Sequence, residues 1–162
     1  MKSLRDVLPM GTTTVILRKN LPEDQKIAVD VRGIDIGDFG PLFVHFPEIV
    51  EALNGGKLDA ASLIKTLPAK AVSALIAAGA GILGDEEAEA GITNLALFEK
   101  LALLVPVLQK TMPDGPRPLV ELLVAMGVLE EGALSAFENA GKSKNLPPQH
   151  KQKKREQVSP TP

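Results

Sequence analysis

The sequence predicts a mostly α fold: a small N-terminal β-hairpin, then a compact helical bundle, then a disordered basic C-terminal tail. Three observations predict it. Between residues 12 and 32 the chain is rich in β-branched residues or alternates polar and apolar with period two. From Asp35 onward the apolar residues recur at helical spacing. After Gly141 that periodicity stops, and lysine, glutamine and proline take over. The expected boundaries are 1–34 for the β element, 35–141 for the helical body with which it forms one domain, and 142–162 for the tail.

Thr12–Arg18 and Lys26–Arg32 are the two strands, with Asn20–Leu21–Pro22–Glu23–Asp24 as the turn between them. A two-stranded hairpin is marginal alone and needs helices behind it. Gly33 ends the second strand. Asp35 is placed to cap a helix, with Asp38 in its first turn. Ile36, Phe39, Leu42, Phe43 and Phe46 then share one apolar face. Pro47 opens the next helix, and Asn54–Gly55–Gly56 closes it.

Asp59 begins a short helix with Leu63, Ile64 and Leu67 inward. An alanine-rich helix follows over Pro68–Ala78. Gly79, Gly81 and Gly84 break it into a loop that runs through the acidic stretch Asp85–Glu89. Ile92–Met112 carries the strongest helical signal and is apolar on nearly all faces, with Pro106 expected to kink it. Met112–Pro118 is a loop, and helices over Leu119–Met126 and Ala133–Ala140 complete the body.

At 162 residues, 44% hydrophobic and 23% charged, the chain can close a core of its own. It has no cysteine, which excludes disulfides, thiolate metal sites and a cysteine nucleophile. The net charge of −2 conceals an asymmetry: residues 1–141 stand at −7 and residues 142–162 at +5. An acidic body with a short basic tail lacks the basic face of a nucleic-acid-binding domain. Without Trp or Tyr, the Lys151–Arg155 run has little to stack on bases. The longest uncharged run, Ala71–Gly84, has 14 residues against the roughly 20 a membrane-spanning helix needs. Met1–Met10 has Arg5, Asp6 and Pro9 in place of a continuous apolar segment, so it is not expected to act as a secretory signal. The expected setting is a cytoplasm, with no membrane and no specific nucleic acid among the partners.

Candidate chemistry is sparse. Asp35 and Asp38 lie one turn apart, but capping and the helix dipole account for both. Asp85–Glu89 lacks the ligand spacing of a calcium loop and reads instead as a solvated acid cluster at a helix start. Gly79–Ala80–Gly81–Ile82–Leu83–Gly84 matches a dinucleotide fingerprint by letter, yet it closes a helix where the fingerprint must open one. His45 has no nearby serine, cysteine or second histidine, and His150 lies in the tail. The expectation is a protein that is not an enzyme, with no cofactor and no metal. What remains is apolar surface on Ala71–Leu83 and Leu95–Leu108. The two segments either pack on each other or offer a contact to a partner or a second copy. The residues expected to carry such a contact are Ile36, Phe39, Phe43, Phe46, Leu97, Leu101, Leu104 and Leu108.

Val31–Arg32–Gly33–Ile34–Asp35–Ile36–Gly37–Asp38–Phe39, followed by Leu42–Phe43–Val44–His45–Phe46–Pro47–Glu48–Ile49, resembles the tail assembly chaperones (pre-tape-measure proteins) of bacteriophages. There, a strand ending in Arg-Gly leads into an apolar–acidic helix, and a His-x-Pro-Glu step leads into a second one. The match covers residues 26–54. The resemblance implies a helical protein that coats the long, aggregation-prone tape-measure protein until the tail tube assembles. It implies action in the host cell cytoplasm and absence from the mature virion. It also implies a longer, frameshifted form of the chain as a partner, an A-rich slippery stretch being one way to encode Lys153–Lys154. The alternative expectation is a structural minor tail or connector protein retained in the virion.

Overall fold

The computed structural model describes residues 11–143, of which the side chains of Gly141 and Ser143 are not described. Among the described residues the chain is 63% helical, with eight α-helices and one antiparallel hairpin. Strand β1 (Thr13–Leu17) pairs with β2 (Ile27–Val31) in the register Thr13↔Val31 to Leu17↔Ile27. The turn passes through a 3-10 segment at Glu23–Gln25. Alternation places Leu17 and Val31 in the core, while Thr14, Ile16, Ala28 and Asp30 face out. The Thr14 hydroxyl donates to the Asp30 carboxylate at 2.6 Å across the outer face.

The helices are α1 (Ile36–His45), α2 (Pro47–Asn54), α3 (Ala60–Thr66) and α4 (Ala69–Ala80), then α5 (Glu86–Thr93), α6 (Leu97–Thr111), α7 (Pro116–Ala125) and α8 (Ala133–Ser143). Asp35 caps α1, accepting from the Gly37 amide at 3.0 Å, and Asp59 caps α3 from the Ser62 amide at 3.0 Å. Pro47 and Pro116 stand in the first turns of α2 and α7, where an absent amide hydrogen costs nothing.

Helix α4 is the axis of the body. Every residue from Ala71 to Gly79 is buried, and the hairpin, α1, α3, α5 and α6 all pack against it. Its small side chains permit that crowding. A Cβ on Gly79 would sit 2.4 and 2.5 Å from the two methyls of Val107, so α6 crosses α4 at the closest approach a glycine allows. Leu103, Leu104, Val107 and Leu108 form the inner face of α6.

The hairpin lies along α6. Arg18 at the end of β1 pairs with Glu99 at 2.8 Å, and at the other end Lys110 Nζ donates to the Gly11 carbonyl. The Ile34 amide donates to the Thr111 hydroxyl at 2.9 Å, fixing the chain as it leaves β2.

Three expectations are corrected. The stretch after the glycines is not a loop through Asp85–Glu89: Asp85 caps α5, accepting from the Ala88 amide at 3.0 Å. Nor is Ile92–Met112 one helix. It breaks at Asn94–Ala96, where Ala96 is extended and Glu99 reaches back to accept its amide at 3.0 Å, starting α6. Helix α7 begins at Pro116 rather than Leu119, its two prolines both tolerated before the hydrogen-bond ladder starts. Helix α6 continues through Pro106. The expected tail lies outside the described residues from residue 144 on, and residues 142–143 belong to α8. Among the described residues no helix is long and apolar enough to cross a membrane.

Candidate functional site

The residues from Arg32 to Asp38 build a junction between sheet and bundle. The Arg32 amide donates to the Gly79 carbonyl at 2.8 Å, tying the end of β2 to the end of α4. Its guanidinium lies against Gly81 and pairs with Asp38 in the first turn of α1 at 3.2 Å. Gly33 has φ +90°, and a Cβ there would stand 3.0 Å from the backbone of Lys110. Arginine, glycine and aspartate at this spacing therefore orient α1 against α4 and α6. The Gly79–Gly84 run ends α4, with Gly81 in the left-handed conformation as its C-cap, so no phosphate cradle is formed.

Of the eight residues expected to make a partner contact, three are in the interior. Leu104 is 0% exposed, and Phe39 and Leu108 are 9% exposed. The other five reach the surface, on two separate faces. Ile36, Phe43 and Phe46 belong to α1 and its end, with the Phe43 ring 5.4 Å from that of Phe39. Leu97 and Leu101 belong to α6.

Near Phe46 the surface is concave. Two hollows of 280 and 240 Å³ share Phe46, Glu86 and Glu89 and form one groove between the end of α1, the start of α4 and helix α5. Its floor is apolar, with Leu42, Phe46 and Leu83. Its rim is polar. Glu89 is held by the Gly84 amide at 2.7 Å, and His45 Nδ1 is 2.9 Å from the Pro41 carbonyl. The latter contact needs the proton on Nδ1, which leaves Nε2 as the free ring nitrogen. At the groove's far end the Ser73 hydroxyl, 1% exposed, donates to the Ala69 carbonyl at 2.9 Å and lies 2.9 Å from the Thr93 hydroxyl.

The second face is on α6. Phe98 is 83% exposed, Leu97 55% and Val105 37%. A 340 Å³ hollow beside them is lined by Ile64, Leu67, Val72, Leu97 and Lys100. Glu99 stands at the start of this face. The Arg18 guanidinium, then the Ala96 amide, hold its carboxyl below the usual carboxylate range against the opposing effect of partial burial.

The sequence placed Leu83 and Phe98 within apolar segments but singled out neither as a surface group. A helix apolar on nearly all faces does not reveal which face is covered. Leu83 lies in a turn, where no periodicity applies. Among the described residues, no group of three or more His, Asp or Glu side chains could hold a metal ion. No protein-family model matches the chain, and comparison with curated proteins and with solved structures finds no similar one.

Proposed function

We propose that the protein is a non-enzymatic bacteriophage tail assembly chaperone that binds the tape-measure protein during tail morphogenesis. The observation that carries the reading is the stretch from Val31 to Ile49, whose resemblance to such chaperones rests on the Arg32–Gly33 strand end, the apolar–acidic helix after it and the His45-x-Pro47–Glu48 step. The surface adds support, because an apolar-floored groove edged by Glu86, Glu89 and Lys70 meets that same stretch at Leu42 and Phe46.

A client helix lies across the groove with its apolar residues over Leu42, Phe46 and Leu83, and with lysine or arginine toward Glu86. Burial of apolar surface contributes about 25 cal/mol per Å², so a short apolar stripe suffices for reversible holding. Weak contacts repeated along a long client keep it soluble and still release it when the tail tube takes over.

Mass spectrometry of purified virions tests the reading. A chaperone is missing from the particle or heavily depleted relative to infected-cell lysate. Recovery in fixed stoichiometry with the tail proteins makes it a structural tail or connector component instead.

A further inference from the structure

The last side chain of α2 joins that helix to the start of α8. Asn54 Oδ1 accepts the Glu130 amide hydrogen at 3.0 Å, and the Glu130 carbonyl in turn accepts from the Ala133 amide at 3.0 Å, where α8 begins. Two residues on, Gly56 has φ +75° and lies against α8: a Cβ there would stand 2.8 Å from the Ala136 carbonyl oxygen. Asn54 is followed directly by Gly55, and of the five asparagines in the chain it alone precedes a glycine. An asparagine so placed is chemically labile. Glycine has no Cβ to obstruct its own nitrogen as that atom approaches the preceding side-chain carbonyl.

We propose that Asn54 is a site of spontaneous deamidation, held silent by the joint between α2 and α8 and made reactive when α8 is released. In the reaction the Gly55 nitrogen gives up its proton and attacks Asn54 Cγ. A C–N bond forms, the Cγ–Nδ2 bond breaks, and ammonia leaves with the proton. Water then opens the cyclic imide at either of its carbonyls. One opening leaves aspartate; the other leaves isoaspartate, whose main chain runs through Cγ. The net change converts an amide and a water to an acid and ammonia, and nothing is oxidised or reduced.

Both reacting groups are engaged in the folded chain. The Gly55 amide donates to the Glu51 carbonyl at 3.0 Å, and the Gly56 and Lys57 amides donate to the Leu53 and Ala52 carbonyls at 3.0 Å each. The turn that has to swing is thus bonded at three successive nitrogens, and Glu130 holds the side-chain oxygen. The joint itself is lightly built. A hollow of 290 Å³ lies beside it, lined by Gly56, Leu58, Met112, Pro116 and Phe137. Such contacts open locally at less cost than a packed core. Conversion to isoaspartate makes the opening permanent, because it lengthens the main chain by a methylene just before Gly56, which has no room to move toward Ala136. Aspartate keeps the normal backbone and an oxygen for the Glu130 amide. The site does not depend on what the protein binds.

Peptide mass spectrometry of the full chain, held in mildly alkaline buffer with and without guanidinium chloride, tests the proposal. Conversion at Asn54 should be at least ~10-fold faster in denaturant than in the native protein. Gly55→Ala should slow the reaction in denaturant, and it fits the fold, since its Cβ would lie 3.5 Å from the nearest backbone oxygens. Ala133→Asp places a charge where the native side chain is 1% exposed and should release α8; Phe137→Ala is the milder variant if the first does not fold. In either, hydrogen exchange of the α8 amides should rise without denaturant, and conversion at Asn54 should rise with it. The isolated isoaspartate product should show the same loss of α8 protection, whereas Asn54→Asp should keep it. Conversion as fast in the native protein as in denaturant overturns the proposal. So does an unaltered Asn54 in denaturant, or conversion at the native rate in a variant whose α8 has been released.

Discussion

At Gly79 two helices meet with no room for a methyl group. The Cβ of an alanine would fall 2.4 and 2.5 Å from the Val107 methyls, within the most buried stretch of the molecule. Gly79→Ala should therefore destabilise the fold by about 1–3 kcal/mol, despite alanine's better helix propensity. Urea unfolding checks this, and Val107→Ala in the same chain should return part of the loss, because the two methyls that clash are gone. Glu99 gives a pH-dependent prediction. Its carboxyl is held low by Arg18 and the Ala96 amide. A carboxyl with a depressed folded pKa adds stability that is fully present above its unfolded pKa. That contribution fades as pH falls through the lower folded value. Wild type should exceed Glu99→Gln in stability by a constant margin near neutrality. The margin should close under acid, as read by thermal unfolding across a pH series.

At the scale of elements, the boundary between α5 and α6 depends on local caps rather than on apolar period. Asp85 accepts the Ala88 amide to start α5, so Asp85→Ala should cost about 1 kcal/mol, measured by denaturant unfolding. The same caps explain how much was legible beforehand. Both strands, the Asp35 cap, the Pro47 start and the glycine end of α4 were readable because each rests on a residue with a strong local preference. The break at Asn94–Ala96 was not, since Leu95 and Ala96 continue the apolar pattern while Glu99 ends it through a backbone contact. The α5 helix was legible only at its start: four acids among the five residues Asp85–Glu89 suit a helix's first turn, yet too few apolar residues follow to mark the helix itself. Of the interface residues, Phe39, Leu104 and Leu108 went to the core and Phe98 stayed outside. Periodicity locates an apolar face but does not say what covers it.

The whole molecule combines a tightly packed centre around α4 with two apolar surfaces on different sides, the α1–α5 groove and the exposed face of α6. On the proposed function, the −7 charge of residues 1–141 favours a client segment with basic flanks. Co-expression with a phage tape-measure protein, the proposed client, tests the central claim most directly, with the client's soluble fraction as the readout. The account predicts that the client becomes soluble and co-purifies. It also predicts that Phe46→Asp, or Leu83→Asp should the first variant not fold, abolishes both effects in a folded protein. A client that still precipitates beside abundant wild-type protein would contradict it.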